Sequence, residues 1–320
     1  MALPVHFDLI GDVHGRIDKL DSLLRRLGYR HDGKSHVSPP GRQAIFLGDL
    51  IDPKSGHGVA GGVRATLELV KAMTDRGHAR CLMGNHELNA IFYHTRGTTT
   101  AWLRHRGARN KAMHQGTLDD FPDYQESSGD WLAIWIPWFK TLPMFLDLGG
   151  IRAVHACWDP DQLALLDGSS LSDDTFLLTA ADLTTSKGKA IEAVLKGVGI
   201  PLPPGVDYFD HTGTPRPNFR ARWWEMPANG QGCRELVFPA NDQIPALPIP
   251  AGAESCLRPY PVDAPPVFFG HYFKPADSPL RPERPNVACL DHSAAKDGPL
   301  VAYRWQGEAQ LVSDHFITHE

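Results

Sequence analysis

Short apolar runs alternate along this chain with longer stretches in which apolar residues recur every third or fourth position. The runs Val5–Ile10, Ala44–Leu47, Ala79–Met83, Met144–Leu148, Ile151–His155, Pro266–Phe269, Asn286–Leu290 and Pro299–Trp305 are bounded by Gly, Asp or Pro and are predicted as strands. Ile17, Leu20, Leu24 and Leu27 fall on one helical face, as do Val63, Leu67, Val70 and Met73, which predicts helices over Arg16–Leu27 and Val63–Arg76. Each helix follows directly on a strand. That rhythm argues for an α/β fold whose chemistry sits on the loops beyond the strand ends. Two segments break it. Residues 91–142 read as helical and are rich in Trp, Arg and His. Residues 159–261 hold a helix around Lys187–Leu195 and then a proline-rich run from Pro201 to Pro250, expected to be irregular covering structure rather than sheet. The expectation is one domain over residues 1–320, with these two segments as covering insertions.

Composition narrows the class. With 320 residues and 42% hydrophobic content the chain can bury a sizeable core. No leader-like N-terminus and no run of eighteen apolar residues occurs, so an exported or membrane-spanning protein is not expected and the cytoplasm is. Five cysteines, Cys81, Cys157, Cys233, Cys256 and Cys289, are scattered without a CxxC pair and are expected to be packed core thiols in a reducing compartment. A formal charge of −5 without a long basic block does not point to a nucleic-acid partner. Sixteen histidines invite a search for metal ligands.

Candidate ligands collect at strand ends. Val5–Ile10 runs into Gly11-Asp12-Val13-His14-Gly15, where a carboxylate and an imidazole two residues apart leave an extended segment on the same side. Taken alone, that pattern reads equally as a polar loop. The next strand ends in Gly48-Asp49-Leu50-Ile51-Asp52 and the third in Gly84-Asn85-His86-Glu87, so three successive loops carry acids, an amide and imidazoles. Later strands deliver His155 and, after Phe269-Gly270, His271. Each of these could be a strand-capping imidazole by itself, but together the set offers the mixed O and N donors that Mn, Fe or Zn take.

These segments resemble the signature of calcineurin-like metallophosphoesterases, in the branch holding Ser/Thr protein phosphatases and bacterial diadenosine tetraphosphate hydrolases. The family pattern GDxHG, GDxxD, GNHE or GNHD, a strand-end histidine and GH reads here as residues 11–15, 48–52, 84–87, 154–156 and 270–271. The resemblance implies two facing mixed β-sheets flanked by helices, a four-layer sandwich. It implies two divalent ions, Mn first and Fe or Zn as options. Asp12, His14 and Asp49 would hold one, and Asp49 would bridge to a second on Asn85, His155 and His271. It further implies that His86 protonates the leaving oxygen with Asp52 orienting it, while Glu87 and Asp291 support the ligands.

Departures from the pattern leave the substrate open. Pro53-Lys54-Ser55-Gly56 stands where the protein phosphatases carry a phosphate-gripping Arg-Gly. The tetraphosphate hydrolases usually lack the acid corresponding to Asp52 and carry Asp in place of Glu87, whereas the stretch from Val287 to Trp305 resembles their final strands. Hydrolysis of phosphate monoesters, on phosphoprotein or a small molecule, is the leading expectation. The alternatives are dinucleoside polyphosphate hydrolysis and a catalytically silent scaffold, against which the intact ligand set stands. Within Arg216–Glu225, Arg222 is the expected phosphate anchor and Arg220 the fallback, with an ordinary exposed strand as the bland alternative. The stretch from Trp102 to Lys111 reads as a basic wall for a polyanion or as a solvated helix face.

Overall fold

A computed structural model describes residues 6–98, 101–209, 213, 215–228 and 231–320; Val5, the first residue of the first predicted strand, lies outside them. The described strands are, in chain order, β1 (His6–Ile10), β2 (Arg30–His31), β3 (His36–Val37), β4 (Arg42–Phe46), β5 (Ala79–Cys81), β6 (Phe145–Asp147), β7 (Arg152–Val154), β8 (Gly199–Pro201), β9 (Asn218–Arg220), β10 (Val267–Phe269), β11 (Val287–Cys289), β12 (Val301–Trp305) and β13 (Phe316–Thr318). One sheet has the order β13-β12-β1-β4-β5 and the other β11-β10-β7-β6. In the first, β1, β4 and β5 are parallel and β12 is antiparallel to β1. In the second, β7, β10 and β11 are parallel and β6 is antiparallel. Both are mixed sheets, as expected.

Strand alternation assigns the layers. Phe7, Leu9, Ile45, Val301, Tyr303 and Trp305 of the first sheet share one core with Ala153, Phe268 and Ala288 of the second, so these faces pack on each other. The intervening residues, among them Ile10, Ala44, Phe46, Val267, Phe269 and Cys289, belong to the larger cluster that includes the helices. Helix α1 (Ile17–Arg26) buries Leu20, Leu23 and Leu24, with Asp18 in its first turn and Arg25 and Arg26 in its last, each suited to the helix dipole. Helix α2 (Gly62–Asp75) buries Val63, Leu67, Val70 and Met73. Both lie within two residues of their predicted bounds.

The covering segments are more regular than their sequence suggests. After α3 (Asn85–His94), the first holds α4 (Ala108–Leu118), a π-helical turn at Trp131–Trp135 and α5 (Ile136–Lys140). The second holds α6 (Pro160–Leu166), α7 (Asp174–Ala181) and α8 (Ser186–Lys196), then the β8–β9 ribbon and α9 (Cys233–Leu236). The expected lack of sheet there is therefore corrected. Helices α6 and α7 start on Asp159 and Asp173, whose carboxylates accept backbone N–H groups of the first turn, a local device stronger than the short apolar pattern behind it. Trp223 and Trp224 follow β9 and pack at 5.4 and 5.3 Å on Phe269 of the second sheet, fixing the ribbon to the strand that delivers His271. Four cysteines are buried, as expected; Cys256 is exposed, because it ends a short surface turn. No described helix is long and apolar enough to cross a membrane.

Candidate active site

Three parallel strands of the first sheet end beside each other, so the loops after β1, β4 and β5 meet. Glycine makes the meeting possible: a Cβ on Gly48 would stand 2.6 Å from the Gly84 backbone, and one on Gly270 would strike the Asp12 carboxylate. Four site residues, His14, Asp49, Asp52 and His271, have φ between +49° and +69° although none is glycine. Such backbone costs about 1–3 kcal/mol per residue and persists where surrounding bonds enforce it. Glu87, wholly buried, does much of that enforcing. Its carboxylate accepts the N–H groups of Asp49 (2.9 Å), Leu50 (2.8 Å) and Gly84 (3.1 Å), locking the second loop to the third.

The structure brings together the eight residues singled out from the strand-end motifs. Asp49 is central: His14 Nε2 lies 3.8 Å and His86 Nε2 3.9 Å from its Oδ2, and His155 Nε2 lies 3.4 Å from its Oδ1. Asn85 Oδ1 sits 2.5 Å from His271 Nδ1 and 3.1 Å from His155 Nε2. Asp12 accepts the His271 N–H at 2.9 Å through Oδ2. Carbonyl oxygens of Ile51 and Leu47 fix the Nδ1 sides of His14 and His155 at 2.7 Å, turning both Nε2 atoms inward.

Two groups converge on Asp49, His14 with His86 on one side and His155 with His271 on the other, their ligand atoms within 4.8 Å of one another in each. The donor set fits divalent cations. Asp12 Oδ1 and His271 Nε2 are buried without a hydrogen-bond partner among the described residues, although such atoms are almost always paired. Electrostatics agree. Burial, then the charges of Asp291 and Asp49, push the Asp12 carboxyl well above its ordinary range; burial and Asp49 push Glu87 up to about 7. Burial, then Arg220 and His155, hold His271 well below the usual imidazole range, and burial and His86 bring His14 down to about 4. Crowded acids beside neutral imidazoles are the field a cation relieves.

His86 is held differently. Burial acts to lower its pKa, but Asp49 and Asp52 outweigh it and raise the ring above its ordinary value. Its Nδ1 stands 2.7 Å from Asp52 Oδ2. Asp291 accepts backbone N–H groups of Phe273 and Ser293, so it braces the segment after His271.

The arginines divide. Arg220 Nη1 reaches the His271 carbonyl at 3.4 Å, whereas the Arg222 guanidinium lies 6.0 Å from the Phe238 ring centroid with its Nε buried and unpartnered among the described residues. Arg104 bonds Asn89 and Asn110, and Arg106 lies 3.5 Å from the Trp102 centroid, so the stretch read as a basic wall or a solvated helix face is partly turned inward. Sequence reasoning missed His114 and Thr117 of α4, which bond Asp52, and Lys296, whose ammonium shares the Phe273 ring with Lys54 at 5.2 and 5.5 Å. Their i, i+3 spacing in a helical segment was the one signal for His114 and Thr117; Lys296 carried none.

The family model of calcineurin-like phosphoesterases matches residues 5–272, and the chain belongs to that family. Among particular relatives, an asymmetrical bis(5'-nucleosyl)-tetraphosphatase, PrpE, of Halalkalibacterium halodurans is 38% identical over 82 residues, covering 26% of this chain and 31% of that protein. The like-named enzyme of Oceanobacillus iheyensis is 34% identical over 149 residues, 47% of this chain and 54% of that one. The chain thus spans about a third and about a half of the length of these two relatives. A crystal structure of the cold-active protein-tyrosine phosphatase of a psychrophilic Shewanella is 16% identical and aligns with 98% of this chain and 80% of its own, with a TM-score of 0.43.

Proposed function

We propose that the chain hydrolyses small phosphate esters, with His86 as proton donor to the leaving oxygen. The supporting observation is the His86–Asp52 pair at 2.7 Å, which occupies Nδ1 and leaves Nε2 on the side of Asp49. Asp12, His14 and Asp49 would hold one divalent ion, and Asp49, Asn85, His155 and His271 a second. Bound there, two such ions supply neutralisation of the phosphoryl oxygens and a water acidic enough to serve as nucleophile near neutral pH. Manganese is the first candidate, on donor chemistry.

The protein groups do the rest. Burial opposes ionisation of Asp52, but His114 and His86 hold its carboxyl well below the carboxylate range, so it stays anionic and favours a protonated His86. Proton donation by a positioned imidazole contributes about 10²–10⁴-fold where the leaving oxygen is basic. Arg220, whose Nη1 lies 3.4 Å from the His271 carbonyl, would grip a phosphate through two oxygens.

A second reading is a dinucleoside tetraphosphate substrate. The names of the relatives favour it, and so do Lys54 and Lys296, which have no carboxylate partner among the described residues and share the Phe273 ring next to His271. A further phosphate would find two ammonium groups there. Turnover of phosphopeptides, nucleoside monophosphates and diadenosine tetraphosphate with manganese decides between them: faster hydrolysis of the nucleoside monophosphates than of the other two is the expected result, and a preference for diadenosine tetraphosphate would favour the second reading. Absence of turnover on every substrate would overturn both.

A further inference from the structure

The Asp52 carboxylate is the meeting point of three donors, only one of which comes from the strand-end motifs. His86 Nδ1 stands 2.7 Å from Oδ2, while His114 Nδ1 at 2.6 Å and Thr117 Oγ1 at 2.7 Å both address Oδ1. Thr117 also accepts the Asp52 backbone N–H at 2.8 Å, so one hydroxyl braces both the carboxylate and the left-handed backbone beneath it, φ +62°. His114 and Thr117 are three residues apart on α4 and therefore face the same way. The covering helix thus reaches the motif loop from behind.

The chain of contacts continues away from the site. His114 Nε2 lies 3.3 Å from His94 Nε2, and His94 Nδ1 lies 3.5 Å from the Arg106 guanidinium. A guanidinium only donates. Its proton therefore leaves His94 Nδ1 as acceptor, His94 Nε2–H as donor to His114 Nε2, and His114 Nδ1–H as donor to Asp52. One consistent set of tautomers runs from Arg106 to Asp52 with no group left competing for a proton. The rings are held by packing: Trp131 lies 5.7 Å from His94 and 5.6 Å from His114, and Tyr93 lies 5.3 Å from His114.

We propose that His114 is a positioning residue for His86: its Nδ1–H and the Thr117 hydroxyl together saturate Oδ1 of Asp52, so that only Oδ2 is presented to the His86 ring. The proposal rests on the reading of His86 as proton donor. Without His114 the carboxylate can rotate about its Cβ–Cγ bond, and the imidazole loses the fixed partner that aims Nε2 at the leaving oxygen. A covering helix outside the motifs then governs the efficiency of proton transfer.

The test compares an alkyl phosphate, whose leaving oxygen needs a proton, with 4-nitrophenyl phosphate, whose leaving group does not, on the manganese-loaded full chain. His114→Leu should lower the kcat ratio of alkyl to nitrophenyl ester by roughly 10–100-fold, below the 10²–10⁴-fold range of direct loss of the acid, while His114→Asn, which keeps a donor near the Nδ1 position, should restore most of it. Nitrogen-15 histidine NMR of the metal-free proteins gives a readout independent of turnover: the His86 Nδ1–H resonance should move in His114→Leu and return toward its wild-type position in His114→Asn. An unchanged kcat ratio and an unmoved His86 resonance in His114→Leu, beside a selective loss in His86→Asn, would overturn the role of His114 alone. Equal losses on both esters in His86→Asn would instead overturn the proton-donor reading on which it rests.

Discussion

The strand-end loops and the covering segments build the site by opposite means. Each loop after β1, β4 and β5 carries its chemistry within five consecutive residues, and parallel strands carry the loops to one edge regardless of what lies between them. The covering segments contribute three side chains from two places, His114 and Thr117 from α4 and Arg220 from the end of β9. In the proposed reading the loops supply the reacting groups and the covering side chains aim them. Damage to a loop residue should abolish chemistry, and damage to a covering residue should alter which substrates are processed well.

The largest effect should follow loss of the carboxylate between the two ligand groups. Asp49→Asn keeps the side-chain size but removes the charge facing His14, His86 and His155, so hydrolysis of an aryl phosphate should fall by several orders of magnitude with the melting temperature little changed. Undiminished turnover would erase the distinction between loop and cover at its strongest point.

Arg220 and Arg222 sharpen it from the other side. Arg220→Ala should lower kcat/KM by roughly 10–100-fold, the loss expected from one charge-assisted bond of about 1.5–3 kcal/mol, whereas Arg222→Ala should change it less than threefold. Steady-state kinetics that ranked the two in reverse would place the phosphate at the other end of the β9 segment.

A smaller effect separates the substrate readings. Replacing Lys54 and Lys296 together by Met should weaken diadenosine tetraphosphate hydrolysis by roughly 10-fold, about 1.4 kcal/mol, and leave a simple aryl phosphate within about twofold. Equal effects on the two substrates would remove the second-phosphate role.

A last prediction concerns stability rather than turnover. His292 is fully buried, neither ring nitrogen has a hydrogen-bond partner among the described residues, and burial, then Lys274, lowers its pKa to about 3. An unfolded histidine titrates near 6.5, so between those values the unfolded chain binds the extra proton. The contribution of this group is complete above pH 6.5 and is lost as pH falls toward 3, at about 1.4 kcal/mol per pH unit. Urea melts of the metal-free protein should show that slope reduced in His292→Leu; an identical slope would mean that other groups carry the acid sensitivity.

The same contrast explains what could be read from sequence. Asp12, His14, Asp49, Asp52, Asn85 and His86 were legible because each sits beside a glycine-bounded turn at the end of an apolar run, and period-2 strands fix the direction in which they leave. The helices α1 and α2 were legible from their apolar faces. His114 was not, because its partner Asp52 is 62 residues away and nothing in the order of residues encodes that meeting. Arg222 ranks over Arg220 in the sequence because its segment resembles the family's arginine-bearing loop and because Trp223 and Trp224 could pin it, and Arg220 is the fallback on the same face of an extended run. In the structure β9 ends at Arg220 and the chain turns, so only the earlier arginine reaches His271.

Binding of two ions is tested most directly by stoichiometry. Wild-type protein dialysed against excess manganese and then freed of unbound metal should carry two ions per chain by elemental analysis. His14→Ala and His271→Ala should each carry about one, and Asp49→Asn fewer than two. A single ion in the wild type, or two ions retained in all three variants, would contradict a paired centre built around Asp49.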